Sequence, residues 1–286
     1  MRPRDLTPGR PALMGILNAT PDSFSDRQGP KDPAELVERG LALVADGAAI
    51  VDVGGESGRT DREAVSEDEE SSRIVPVIER LAAEGVALSV DTWRAGPARA
   101  ALDAGATMVN DVSGLAEPAL AKLCAERDAA LVITHTRVPP KTKDFPAYTD
   151  VVEDVIEFLS ARLAQARELG VAEEQTVLDP GVDLGKGTGE SVEVLSRLNE
   201  LEVLGRPLLL AISRKDFVGA VTGRSPAERD AGTLAAIEPA LDLGVGSLLR
   251  VHDVAGAADF LAVRAQLRGE AGELAALEPG LRRETG

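Results

Sequence analysis

The sequence predicts an α/β fold, and more specifically a single-domain (β/α)8 TIM barrel. Eight short apolar runs alternate with segments of helical spacing, and each run is long enough only for one buried strand. A strand buried on both faces reads as a continuous apolar run, and eight successive strand–helix units are typical of this barrel. A doubly wound parallel sheet remains the alternative, because one sequence does not reveal the spatial order of the strands.

The elements follow one another regularly along the chain. The helix predicted at 33–47 carries Leu36 and Val44 on one face and has Gly47 as its stop. Acidic residues at 66–70 begin the next helix, where they complement its dipole, and we expect them to be solvated. The barrel is predicted to span 13–268, between an N-terminal extension at 1–12 and a polar C-terminal tail at 269–286. The strands are predicted at 13–17, 50–53, 87–90, 107–109, 130–133, 176–178, 208–212 and 247–249.

Composition limits the classes of partner. The chain has 286 residues, 44% of them hydrophobic, and a formal net charge of -17, which argues against general binding to nucleic acid or anionic membranes. We identify no signal peptide and no apolar run of transmembrane length. The single cysteine, Cys124, lies in a predicted helix and cannot form an intrachain disulfide, which favours the reducing cytoplasm.

Polar side chains follow the apolar runs, and in a barrel they would meet at one mouth. Both histidines of the chain, His135 and His252, directly follow predicted strands, so both are candidates for a site. No metal-cage spacing is evident. Carboxylates bind the N–H groups of a donor-rich heterocycle, and arginine binds phosphate oxygens. This mixture of side chains therefore predicts a ligand with a donor-rich heterocycle at one end and an anionic group at the other. The strand-end groups are Asn18, Asp52, Asp91, Asn110, His135, Asp179, Arg214, Lys215, Arg250 and His252, with Arg59 nearby.

Seven motifs occur in order over nearly the whole chain: 16–26 (ILNATPDSFSD), 54–57 (GGES), 89–92 (SVDT), 110–114 (NDVSG), 178–181 (LDPG), 213–215 (SRK) and 250–254 (RVHDV). Together they resemble those of the dihydropteroate synthase family. The resemblance implies a cytoplasmic transferase of folate biosynthesis, often a homodimer and a target of sulfonamides. Such an enzyme joins 6-hydroxymethyl-7,8-dihydropterin diphosphate to 4-aminobenzoate and releases diphosphate.

The resemblance also implies roles for individual residues, with loops at about 20–30 and 56–65 closing over the site. The catalytic group would comprise Asp91, Lys215, Arg250 and His252. The pterin would be bound by Asp91, Asn110, Asp179, Lys215 and Arg250. The diphosphate would be held by Asn18, Arg59, Arg250 and His252, with Asn18 acting through a Mg²⁺ cofactor. The aminobenzoate side would comprise Gly58, Arg59, Lys215 and Asp216.

Three departures from the family pattern fall on the aminobenzoate side. Gly58 and Thr60 flank Arg59 where threonine and proline are usual, Asp216 replaces a serine, and 183–184 reads Asp-Leu where Gly-Phe is usual. A carboxylate at Asp216 would repel the aminobenzoate carboxylate unless it turned outward or paired with Arg214. Two alternatives therefore stay open. One is a non-catalytic or altered-specificity pterin-binding paralogue, and the other is a methyltetrahydrofolate:corrinoid methyltransferase, in which the diphosphate-binding residues have no evident role.

Overall fold

A computed structural model describes residues 3, 10–20, 32–58 and 62–273. Within these ranges eight parallel strands close into a barrel in sequence order, accompanied by nine α-helices. The strands are β1 Ala12–Asn18, β2 Ile50–Gly54, β3 Leu88–Asp91, β4 Met108–Asp111, β5 Ala130–Thr134, β6 Thr176–Asp179, β7 Leu208–Leu210 and β8 Ser247–Val251. The helices are α1 Pro33–Ala45, α2 Glu67–Ala83, α3 Ala95–Asp103, α4 Pro118–Glu126, α5 Val151–Glu168, α6 Thr188–Ser196, α7 Asp216–Thr222, α8 Asp230–Ala236 and α9 Val254–Leu267.

The barrel closes between its first and last strands. Met14 of β1 lies opposite Ile50 of β2 on one side and opposite Arg250 of β8 on the other. A doubly wound sheet would leave its two edge strands unpaired on one side, so that alternative is excluded. The predicted single-domain (β/α)8 barrel is confirmed.

Apolar side chains fill the barrel interior, and polar side chains form the layer above them. Side chains alternate between the two faces of a strand, so each inward apolar residue is followed two positions later by another inward residue. The inner cluster comprises Met14, Ile50, Met108, Ala130, Val132, Val177, Leu209 and Leu248. The inward positions nearer the carboxyl ends are occupied by Asp52, Asp91, Asn110, Thr134, Asp179 and Arg250. The polar residues of the mouth therefore lie on a buried, closely packed apolar layer.

A second and larger core lies between the strands and the helices. Helix α1 begins with Pro33 at a position that needs no amide hydrogen, and the Asp32 carboxylate accepts the Ala34 N–H at 3.0 Å. Its Gly40 faces Leu81 of α2, and a Cβ at Gly40 would lie 2.7 Å from the Leu81 side chain. The two helices can approach this closely only because position 40 has no side chain.

Some elements differ from the sequence expectation. Strand β7 ends at Leu210 rather than at residue 212, because the chain leaves the sheet toward a turn at Arg214, where φ is 59°. The two short helices α7 and α8 follow it before β8. Glu70, expected to be solvated, is buried and bonds to Arg94. Cys124 is buried in α4 as predicted, and burial raises the pKa of its thiol to about 12. Within the described ranges no helix combines the length and apolar character needed to cross a membrane.

Candidate active site

The centre of the barrel mouth is a buried ion-pair network around Arg250. Its Nε donates to Asp52 Oδ2 and its second terminal nitrogen donates to Asp91 Oδ2, both at 2.7 Å. Asn110 Nδ2 donates to the same Asp52 oxygen at 3.0 Å. Asp52 is fully buried, whereas Asp91 keeps 22% of its side chain exposed. Arg250 is therefore held in one orientation from below, and the accessible edge of Asp91 faces the mouth.

Burial is the main cause of the pKa shifts of the ionisable groups at the mouth. Burial raises the pKa of Asp91 to about 7, although Arg250 opposes this change by favouring the ionised form. Burial also raises the pKa of Asp179, against the Gly181 N–H that donates to its Oδ1 at 2.7 Å. The pKa of Lys215 is lowered by burial, and its ammonium donates to the Val182 carbonyl at 3.0 Å. Lys215 and Asp179 thus lie at adjoining strand ends, after β7 and on β6, and Asp91 lies across the mouth at the end of β3.

Several buried side-chain oxygens on the barrel strands have no hydrogen-bond partner among the described residues. They are Asp52 Oδ1, Ser89 Oγ, Asn110 Oδ1 and Thr134 Oγ1. Thr134 lies opposite Asp179 in the sheet, and Asn110 lies opposite Asp91. Buried polar atoms are rarely left unpaired in folded proteins. The concentration of acceptors at the mouth fits a ligand that brings its own N–H donors.

His252 lies at the rim of the mouth, exposed to solvent on one side and enclosed by protein on the other. Burial, followed by the charge of Arg250, lowers the pKa of its ring to about 4. The Ser213 hydroxyl lies 2.9 Å from His252 Nδ1 and also accepts the His252 backbone N–H at 3.2 Å. These two contacts engage Nδ1 and hold the ring in place. Nε2 is then the ring nitrogen that remains for a ligand.

Asn18 ends β1 beside Asp91. A Cβ built on Gly54 would lie 3.7 Å from Asn18 Oδ1 and 3.6 Å from the Asp91 Cβ, so the amide and the carboxylate share one side of the mouth. In the described part of the chain no three His, Cys, Asp or Glu side chains cluster as a metal cage. One amide oxygen fits a Mg²⁺ ion that takes its other ligands from an anionic ligand and water.

The residues predicted for the second substrate are dispersed. Gly58 is exposed, with no atom within 4 Å of the position of an added Cβ. Arg59 lies outside the described residues. Asp216 has turned outward: its side chain is 83% exposed and accepts from Arg229 at 3.1 Å, while Arg214 pairs with Asp230. Of the two ways predicted to avoid a like-charge contact at Asp216, the structure has the outward turn.

His135 is a buried structural residue rather than a residue of the mouth. Its Nε2 lies 2.8 Å from Asp154, and its Nδ1 lies 2.6 Å from the Lys186 ammonium, which also donates to the Gly181 carbonyl at 3.0 Å. Burial lowers the pKa of His135 to about 2, so the ring stays neutral and accepts from Lys186. This arrangement anchors the β6–α6 loop. The expectation of a site role for His135 is replaced by this supporting one.

Sequence reasoning placed Asp52 among the strand-end groups of the mouth but gave it no role in binding or catalysis, although it forms the base of the Arg250 network. The signal was present, because Asp52 interrupts the apolar run of β2 two positions after the inward-facing Ile50. An acidic side chain at an inward position of a barrel strand needs a partner. Only the closed barrel identifies that partner as Arg250, 198 residues later.

A second network holds the β2–α2 loop. Glu56 is buried and bonds to Arg94 at 2.5 Å. Lys141, from the loop after β5, lies 3.3 Å from the other Glu56 oxygen and donates to the carbonyls of Ser57 at 3.0 Å and Glu63 at 3.4 Å. Lys141 therefore contacts the β2–α2 loop on both sides of residues 59–61.

Comparison with known proteins gives consistent results. Residues 14–252 match the family of pterin-binding enzymes. The dihydropteroate synthase of Mycobacterium leprae is 44% identical over 260 residues, which cover 88% of this chain and 91% of that protein. A probable bifunctional folylpolyglutamate synthase/dihydropteroate synthase of Haloferax volcanii is 42% identical over 85% of this chain, which spans 29% of that longer protein. The structure of Xanthomonas albilineans dihydropteroate synthase with 4-aminobenzoic acid has a TM-score of 0.83 and 41% identity, covering 91% of this chain and 93% of the other.

Proposed function

Because the chain belongs to the dihydropteroate synthases, transferases of the pterin-binding enzyme family, we propose the reaction that its barrel mouth catalyses. The mouth joins 6-hydroxymethyl-7,8-dihydropterin diphosphate to 4-aminobenzoate and releases diphosphate. The observation that carries this proposal is the Arg250 network, with accessible Asp91 and the unpartnered Asn110 Oδ1 beside it. Carboxylate and amide acceptors next to a guanidinium match a donor-rich ring that carries an anionic substituent.

The pterin binds over the inner layer. The Asp179 and Asp91 carboxylates and the Asn110 amide accept from its amino and ring N–H groups. Lys215 donates to a ring acceptor, and the Arg250 guanidinium, fixed by Asp52, packs on the face of the ring. The two carboxylates also favour the positive charge that spreads into the ring when the leaving group departs.

The bond that breaks joins the pterin methylene carbon to a diphosphate oxygen, and its electron pair leaves with the diphosphate. Arg250 and His252 Nε2 stabilise the departing oxygens. Asn18 would hold a Mg²⁺ cofactor, which would supply further neutralisation of the leaving group. The arylamine nitrogen then forms the new bond to the methylene carbon and loses a proton. No protein nucleophile takes part, in keeping with the buried and protonated Cys124 thiol.

Assay of the purified protein with the pterin diphosphate, Mg²⁺ and 4-aminobenzoate tests this proposal. We expect dihydropteroate to form, and we expect Asp91→Asn and Arg250→Ala each to lower kcat/KM by about tenfold or more. Arg268→Ala, at an exposed ion pair remote from the mouth, serves as the control. Pterin diphosphate binding without turnover would instead identify a non-catalytic paralogue, and unchanged kinetics in both mouth variants would reject the residue assignment.

The chain is further proposed to act as a cytoplasmic homodimer. Val263 and Leu267 of α9 leave 60% and 83% of their surface exposed, which supports an interface on the last helix. The single thiol is buried, in keeping with a reducing compartment. Light scattering of the wild type and of Leu267→Glu tests the dimer: the variant should be monomeric, and a wild-type monomer would reject it.

A further inference from the structure

We propose that Asp183 is a specificity-determining residue: its carboxylate lies in the second-substrate subsite beside Lys215 and weakens the binding of arylamines that carry a carboxylate. The proposal rests on the proposed function and refines it. It concerns a residue that the pterin and diphosphate roles do not use, in the loop between β6 and α6.

The Asp183 carboxylate is fixed through both oxygens. Its Oδ2 accepts the Asp216 N–H at 2.6 Å and lies 3.4 Å from the Phe217 N–H. Its Oδ1 accepts the Ser191 hydroxyl at 2.9 Å, and the Ser191 oxygen in turn accepts the Asp183 N–H at 3.0 Å. The side chain therefore bridges the β6–α6 loop to the turn that follows β7.

This bridge lies next to Lys215. Lys215 Nζ donates to the carbonyl of Val182, the residue before Asp183. Among the charged groups that act on Lys215, Asp183 exerts the strongest effect and raises its pKa, against the lowering caused by burial. The resemblance assigns Lys215 to both the pterin and the aminobenzoate, so we expect the Asp183 charge to act where the arylamine binds.

The neighbouring acidic residue does not share this role. The Asp216 side chain is exposed and bonds to Arg229, so it contributes only its backbone N–H to the bridge. A substrate carboxylate that approached these backbone N–H groups would find them occupied by Asp183 and would meet a like charge. A neutral substituent of the same shape would lose the hydrogen bonds but would not be repelled.

The backbone offers a variant that removes the charge and keeps one of the two acceptor oxygens. Asp183 has a φ of 58°, in the left-handed region that asparagine tolerates as well as aspartate. In Asp183→Asn the amide oxygen still accepts from Asp216, while the negative charge is removed. A weakened loop support would change KM for charged and neutral arylamines alike, whereas removal of a repulsive charge would lower KM for charged arylamines selectively.

The experiment compares KM for 4-aminobenzoate with KM for 4-aminobenzamide, its neutral isostere, in the wild type and in Asp183→Asn. We expect Asp183→Asn to lower KM for 4-aminobenzoate about tenfold relative to KM for 4-aminobenzamide, the size of a partly screened like-charge repulsion. Asp259→Asn, on the exposed surface of α9, makes the same charge change away from the site and should leave the ratio as it is.

An unchanged ratio, or a rise in KM for 4-aminobenzoate, would overturn the role of Asp183. Absence of turnover with both amines in all three proteins would instead reject the proposed function. In that case calorimetric titration of the two amines into protein with bound pterin diphosphate gives the same ratio from affinities. A tenfold change there upholds the role of Asp183, and no change overturns it.

Discussion

Replacement of Asp52 is the most direct test of the network that organises the mouth. Asp52 is fully buried, binds the Arg250 Nε at 2.7 Å and accepts from Asn110 at 3.0 Å. Asp52→Ala leaves a buried guanidinium nitrogen and a buried amide without their acceptor. Removing one partner of a buried pair typically costs 3–5 kcal/mol. Since Asp91 still neutralises the charge of Arg250, we expect the free energy of unfolding to fall by an amount at the lower end of this range, about 3 kcal/mol.

Urea unfolding followed by circular dichroism measures this loss. With a slope of about 3 kcal/mol/M, the midpoint should fall by about 1 M urea. Asp52→Asn keeps an acceptor oxygen and removes the charge, so its unfolding midpoint should lie between those of Asp52→Ala and the wild type. Arg268→Ala breaks an ion pair whose side chains are 46% and 59% exposed, and should cost less than 1 kcal/mol. A midpoint for Asp52→Ala equal to that of Arg268→Ala would refute a buried charged network.

Four further predictions concern Asp91, Lys141 and Cys124. Because the pKa of Asp91 is raised to about 7, kcat/KM for the pterin diphosphate should rise as pH passes through 7, and Asp91→Asn should lack this rise. The native state then binds this proton more tightly than the unfolded chain, so the contribution of Asp91 to stability should decline between pH 3.8 and about 7. Lys141→Met removes the contacts to Ser57 and Glu63, so it should raise KM for 4-aminobenzoate several-fold and speed tryptic cleavage near residue 62, with no effect on pterin binding. Cys124 should react with a thiol reagent only after unfolding, because its thiol is buried and its pKa is about 12; rapid labelling of the native protein would contradict this.

Hydrophobic patterning was sufficient to predict the strands and most helices, because a barrel strand buried on both faces has an unambiguous apolar signature. Polar residues directly after these strands predicted the level of the site along the barrel. The departures on the second-substrate side were also visible in the sequence. Patterning failed at Glu70, because an acidic residue within a charged run gives no sign that an arginine of another element will bury it.

The sequence by itself determined the eight strand–helix units, the polar residues at the strand ends and the chemical class of the ligand, whereas the closure of the barrel required the structure. The tertiary structure decided which charges meet. Asp52 pairs with Arg250 because β8 closes onto β1 and brings distant inward positions into one layer. Likewise Asp216 turns toward Arg229, while Asp183 occupies the backbone N–H groups beside Lys215. Side-chain direction depends on the partners that distant loops supply, and those loops become neighbours only when the barrel closes.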